Sequence, residues 1–287
     1  MTDFTWIKGL ILGLVQGFTE FFPISSAAHL VMAETYLGIK DSAKTLAAFD
    51  VALHLGTLVA AILFFKKDLE CLIGVWFPKW RQKLEAPDSF FSTVAPMVHP
   101  GNAKKLGPLI IGAVLPAALI SAKFGQFFTD LFSDTIVAAV LLLITGFVIH
   151  TTRWIQSDGI GIDRIGFKQA LLVGLVQIFS VLPGLSRSGI TLSAGLFLKF
   201  KTELAFRFSF LMMIPLTAIG ILLGIPDLLH LPQQAVIAAI FGCIVAGVTG
   251  YFCIPILLGL MRRKKFFIFA YYCWAVGVLV LLKEMFF

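Results

Sequence analysis

The chain has 287 residues, 59% of them hydrophobic and 14% charged, with a mean hydropathy of +0.94. Soluble domains carry roughly a quarter charged residues, so a water-soluble enzyme, a disordered tail or a nucleic-acid-binding module fits poorly, and no nucleic-acid partner is expected. The formal net charge of +7 instead asks which side of a bilayer holds the cations.

A crossing helix needs about 20 mostly apolar residues. In chain order, the first apolar region, 5-38, fails that test. It reads TWIKGLILGLVQGFTEFF, then Pro23, then ISSAAHLVMAETYLG, two halves each short for a crossing. Gln16, Glu20 and Pro23 interrupt it, and only Lys8 and Asp3 provide early charge, so it is expected to belong to the mature protein rather than to a cleaved signal. Full spans are expected at roughly 46-65, 106-122 and 135-151. The intervening 66-105 segment, with Trp76, Phe77, Trp80, Phe90 and Phe91 among charges, is expected to lie at the interface. Region 168-200 repeats the broken pattern as KQALLVGLVQIFSVL, Pro183 and GLSRSGITLSAGLFLKF, and spans at 205-225, 234-257 and 266-286 complete the chain.

Each broken region is expected to be a re-entrant helix-break-helix hairpin that enters and leaves on one side; the alternative is four tilted spans. Charge placement favours the hairpins. They put Lys66, Lys67, Lys104, Lys105, Arg153, Arg164, Lys168, Lys199, Lys201 and Arg262 to Lys265 on one side, leaving Lys8, Lys40, Lys44, Lys123 and Lys283 opposite. The first side is cytoplasmic by the positive-inside rule. Gly13-Leu14-Val15-Gln16-x-Phe18 recurs as Gly174-Leu175-Val176-Gln177-x-Phe179, and both copies run into proline and serine. Three spans separate the copies, an odd number, so the repeat is inverted and should place a site near the midplane. The expected fold is an all-α polytopic membrane protein with six transmembrane helices and two re-entrant hairpins. It is read as a single domain, 1-287, of inverted repeats over about 1-151 and 152-287. Cys71, Cys243, Cys253 and Cys273 lack CxxC spacing and are read as packing residues. Gly9, Gly13 and Gly17 form a small-residue stripe that suits close packing within the subunit or a homodimer.

Ionisable groups inside membranes are costly and mark function, and here they gather at the breaks. Gln16 and Glu20 share a helix face, and Ser25, Ser26 and His29 follow. Such serines cap a helix start whose free amides also suit an anion. The second break carries Ser186, Arg187, Ser188 and Thr191 between Gly184 and Gly189. An arginine there needs a negative partner, either a phosphate that its planar fork fits or Glu20. Ser186, Ser188 and Thr191, together with Ser25, offer hydroxyls to the same anion. Together these groups are equipped for phosphoryl transfer: Arg187 neutralises oxygens, Ser26 or a water attacks, and His29 shuttles the proton. A pyrophosphate commonly brings a divalent cation, Mg2+ or Ca2+, with Glu20 and Gln16 as its oxygen ligands.

The sequence resembles the undecaprenyl-pyrophosphate phosphatase family associated with bacitracin resistance, over essentially its whole length. The resemblance rests on Gln16-Gly17-Phe18-Thr19-Glu20, on Pro23 through His29 and on Pro183-Gly184-Leu185-Ser186-Arg187-Ser188 through Thr191. It implies a phosphatase of the bacterial inner membrane that removes the terminal phosphate of a C55 polyprenyl pyrophosphate, with a site open to the extracytoplasmic side. Glu20, Ser26, His29 and Arg187 would be the catalytic set. Three features depart from the family: Gln16 replaces a frequent glutamate, His54 stands where a glutamine is expected, and Ala27 and Ala28 replace a hydroxyl residue and a glycine. A flippase for polyprenyl phosphate is the alternative that inverted repeats also suit, and a catalytically inactive relative is a third reading.

Overall fold

Proline fixes where both hairpins break. The computed structural model describes residues 4–77, 97–132, 134–155 and 159–286. Its first helix, α1 (Trp6–Phe21), ends where Phe22 takes an extended conformation, φ −68° and ψ 142°, because the ring of the following Pro23 disfavours the helical region for the residue before it. The chain resumes as α2 (Ser26–Tyr36) after Ser25, whose φ of +67° is unusual for a residue with a Cβ. The second break follows the same rule. After α7 (Phe167–Gln177) and a 3-10 turn over Ile178–Val181, Leu182 is extended before Pro183, and α8 (Arg187–Phe197) begins with Ser186 as its cap. Here Gly184 has φ +113°, and a Cβ on it would lie 2.5 Å from the Ala138 carbonyl oxygen, so this position requires glycine.

Between and after the breaks lie α3 (Ala43–Phe64), the short α4 (Lys66–Gly74), α5 (Pro100–Phe132), α6 (Thr135–Thr151), α9 (Thr202–Leu229), α10 (Gln233–Arg262) and α11 (Ile268–Phe286). Among the described residues six helices are long and apolar enough to cross a membrane: α3, α5, α6, α9, α10 and α11, matching the six expected spans. Among the described residues there is no strand beyond an isolated bridge between Ile160 and Phe200. By contrast α1 has 16 residues and α2, α7 and α8 have 11 each, about 24 and 16 Å of helix against a hydrocarbon core of about 30 Å. In the segment after α4, Trp76 and Phe77 are exposed; Trp80, Phe90 and Phe91 lie outside the described residues.

Close backbone packing holds the first hairpin in place. The Gly9, Gly13 and Gly17 stripe lies against α10, where an added Cβ would meet the Ala238 carbonyl oxygen at 2.3 Å, the Gly242 carbonyl oxygen at 2.5 Å and Thr249 Cβ at 2.6 Å. The stripe is thus used inside the subunit, so it gives no support to a homodimer. Leucine at Gly13 must push α1 away from a backbone that cannot yield, and overpacking alone costs about 1–3 kcal/mol. The expected result is a lower midpoint of thermal unfolding in detergent, with an unchanged oligomeric state by light scattering.

One buried charge cluster lies away from the breaks. Asp68 on α4 accepts the amides of Met97 at 3.0 Å and Val98 at 2.9 Å and pairs with Arg207 of α9. Both charged side chains are buried, as such charges are when paired and hydrogen-bonded, and Glu203 links Arg207 on to Arg262. The four cysteines are free thiols. Burial, with the Asp68 and Glu70 carboxylates nearby, pushes the Cys71 thiol up, away from the reactive thiolate form.

Candidate active site

The two breaks complete each other's hydrogen bonding. The Gly184 amide donates to Ser25 Oγ at 3.1 Å, and Ser25 Oγ also accepts from the Ala28 amide at 3.4 Å as the cap of α2. Thr145 of α6 braces the second break, its hydroxyl donating to the Gly184 carbonyl at 2.8 Å and accepting from the Ser186 amide at 3.1 Å. The irregular backbone of the two breaks is thus satisfied by the protein itself.

Glu20, in the last turn of α1, is the hub. Its Oε1 pairs with Arg187 Nη2, and its Oε2 accepts from Ser26 Oγ at 2.7 Å and from Gln16 Nε2 at 3.1 Å. His54 of α3 donates Nδ1–H to the Asp50 carbonyl at 2.8 Å, which turns its Nε2 toward Glu20 Oε2 at 3.6 Å. His54 therefore belongs to the site, whose cavity wall it lines. Arg187 Nη1 donates to Thr217 Oγ1 of α9 at 2.9 Å. Each of its two terminal nitrogens thus has a protein partner.

Around this hub lies a polar cavity of about 210 Å³ lined by Glu20, Ser25, Ser26, His54, Ser186, Arg187 and Ser188, with Thr19, Ser121 and Ser180 at its sides. Holding one water takes about 10–15 Å³ of such space, so the cavity suits a hydrated anion of diphosphate size. Ala27 also lines it, presenting a methyl where a hydroxyl would offer one more contact. A second, apolar groove of about 550 Å³ runs alongside between α1 and α11, walled by Ile11, Leu14, Phe18, Ile268 and Phe269. Thr19 borders both spaces.

Most of the residues singled out in the sequence meet here, but three stand apart from the cavity wall. Thr191 donates back to the Arg187 carbonyl at 2.8 Å and lies 2.5 Å from Ser209 Oγ, so its hydroxyl is spent on helix packing. His29 lines the apolar groove rather than the polar cavity, held by the Ser25 carbonyl at 2.8 Å and the Tyr272 hydroxyl at 3.0 Å. Gln16 is fully buried behind Glu20, and its Oε1 has no partner among the described residues. Thr217, Thr145 and Tyr272 did not stand out in the sequence. Their only signal is a hydroxyl inside an apolar span.

The described residues contain no group of three or more His, Cys, Asp or Glu side chains placed to hold a metal. The donor set still fits a cation of the kind that substrate phosphates complete, for which one or two carboxylates suffice. Glu20 supplies the carboxylate; Gln16, whose Nε2 donates to it, carries a buried neutral Oε1 without a partner among the described residues.

The family described as bacitracin resistance protein BacA matches residues 9–279 of the chain. A protein of Methanobrevibacter smithii named undecaprenyl-diphosphatase is 34% identical over 280 residues, covering 97% of this chain and 98% of that one. Its namesake in Desulfosudis oleivorans is 36% identical over 272 residues, with 94% and 96% covered, and that in Halothermothrix orenii 34% identical over 277 residues, with 96% of each. Read with paired breaks that carry Glu20, Ser26 and Arg187 in one cavity, these matches over nearly the whole chain place the protein in the bacitracin resistance protein BacA family.

Proposed function

We propose that the protein hydrolyses undecaprenyl pyrophosphate to undecaprenyl phosphate and inorganic phosphate, recycling a lipid carrier for cell-wall synthesis. The observation that carries this reading is the 2.7 Å hydrogen bond from Ser26 Oγ to Glu20 Oε2, a hydroxyl held on a carboxylate beside an arginine. Anion transport needs a cation and donors; it has no use for a base on a serine, and this favours hydrolysis over a flippase. The diphosphate occupies the polar cavity and the isoprenoid chain lies in the apolar groove, the two spaces meeting at Thr19.

Pyrophosphate competes with Glu20 for Arg187, whose fork spans two phosphate oxygens. Ser26 Oγ then attacks the terminal phosphorus, its proton passing to Glu20, while the bond to the bridging oxygen breaks and its electron pair leaves with the lipid monophosphate. Protonated Glu20 hands that proton on to the leaving lipid monophosphate. In the second half Glu20 takes a proton from water, which attacks the phosphoserine, and returns it to Ser26 Oγ as phosphate departs. Arg187 and the hydroxyls of Ser25, Ser186 and Ser188 face the charge that builds on the equatorial oxygens. Glu20 and Gln16 would hold Mg2+ or Ca2+, which adds charge neutralisation at the phosphates when bound.

The short hairpin helices and the cation distribution support two re-entrant elements meeting near the midplane of the plasma membrane, as an inverted repeat would place them. Access to the site is from the extracytoplasmic side. The deciding experiment measures phosphate release from C55 polyprenyl pyrophosphate by the purified protein, with Mg2+, with Ca2+ and with chelator. Release that rises with a divalent cation is the expected result. No release under any condition, with polyprenyl phosphate moving across vesicles, would replace this reading with transport.

A further inference from the structure

We propose that His54 is a further catalytic residue, whose Nε2 takes the proton from Glu20 and delivers it to the leaving lipid monophosphate. This rests on the reading above, in which Glu20 receives the Ser26 proton during hydrolysis. The surroundings of Glu20 decide where that proton can go. On Oε2, Ser26 Oγ at 2.7 Å is the group that gave it, and Gln16 Nε2 at 3.1 Å is an amide donor that cannot receive it. On Oε1, the Arg187 guanidinium is a donor only. His54 Nε2, 3.6 Å from Oε2, is the remaining neighbour of these oxygens, and it can accept. Hydrogen bonds between catalytic groups commonly tighten to working length when substrate is bound.

The lone pair on Nε2 follows from the other side of the ring. The Asp50 carbonyl, 2.8 Å from Nδ1, can only accept, so Nδ1 carries the proton and in the neutral ring Nε2 does not. A proton can therefore enter and leave at one atom, without a change of tautomer or a swing of the ring, and the bond to Asp50 strengthens while the imidazole is charged. His54 also lines the polar cavity. Its side chain is 32% exposed against 3% for Glu20, so the imidazole opens to the diphosphate space far more than the carboxylate does. His29 is placed otherwise, with a partner on each ring nitrogen and its side chain on the apolar groove. As Ser26 Oγ bonds to the terminal phosphorus, its proton passes to Glu20 Oε2 and on to His54 Nε2. As the bond from phosphorus to the bridging oxygen breaks, Nε2–H protonates that oxygen, which leaves His54 neutral and Glu20 a carboxylate.

The test uses the full chain in detergent micelles with C55 polyprenyl pyrophosphate as substrate. His54→Gln keeps a hydrogen-bonding amide on a side chain of similar reach but cannot take up a proton. Its kcat is expected to fall about a hundredfold, the scale of general acid–base catalysis, with KM and the midpoint of thermal unfolding unchanged. In His54→Ala, free imidazole is expected to restore part of the turnover, whereas pyrazole, a ring of the same size and far weaker basicity, should restore none. A kcat in His54→Gln near that of the wild type, or equal rescue by the two rings, would overturn the inference and leave hydrolysis standing. A loss confined to KM would overturn it as well, by making His54 a holder of the anion. Absence of phosphate release from the wild type would instead reject the hydrolase reading, and this inference with it.

Discussion

Replacing Arg187 with alanine is expected to lower phosphate release from polyprenyl pyrophosphate by about a thousandfold or more, the scale on which an arginine acts on a transferring phosphoryl group. Two effects converge in this variant. The equatorial oxygens lose the guanidinium that spans them, and Glu20, a buried carboxylate, loses its ion-pair partner. Leaving a buried charge without its partner costs about 3–5 kcal/mol of stability, so the variant should also unfold at a lower temperature. Arg187→Lys separates the two. It keeps the positive charge beside Glu20 but not the planar fork, and should recover much of the stability and little of the turnover. Near-normal turnover in Arg187→Lys, read as initial rates of phosphate release, would show that charge alone suffices.

Ser26→Ala is expected to abolish turnover to within the background of the assay while substrate is still bound. The hydroxyl is half of a nucleophile and base pair, and removing one member of such a unit costs nearly as much as removing the whole. Quenching the wild-type reaction with acid during turnover of substrate labelled at the terminal phosphate should yield phosphoserine at position 26. Label that is never found on protein, with Ser26→Ala retaining a tenth or more of the activity, would move the attack to water activated by Glu20. Thr217→Val probes the second partner of Arg187, which sits at 2.9 Å. There the expected loss is smaller, because one hydrogen bond to a charged group is worth about 1.5–3 kcal/mol.

The breaks and their chemistry were legible in the sequence because they follow from local rules. A proline restricts the residue before it, a serine caps the helix after it, and charged groups do not sit in lipid without cause. The convergence of Glu20 with Arg187 was legible through the repeat, although the sequence left open whether the arginine faces protein or substrate. Other features depended on tertiary partners that no spacing encodes. Arg207 lies in an apolar span, but its partner Asp68 is 139 residues away, at the start of a segment read as interfacial. The hydroxyls of the second motif look equivalent as letters. The helix start at Arg187 sorts them: Ser186 becomes the cap, accepting the Gly189 amide at 3.1 Å, while Thr191 bonds back one turn, as helical threonines do. The orientation of His29 depends on a tyrosine 243 residues later.

The interlocking of the two breaks bears on how the protein is made. Ribosomes add about 5–20 residues per second, so roughly ten to thirty seconds separate the synthesis of Glu20 from that of Arg187, the residue it pairs with. Throughout that interval the first hairpin has no Gly184 amide for Ser25 and no counter-ion for its carboxylate. It must wait at the membrane surface, or enter with Glu20 protonated and its open backbone watered, until the second hairpin arrives. A nascent chain arrested before residue 183 should therefore be held by insertion factors or cleared by membrane proteases, and release from that surveillance should coincide with emergence of the second break.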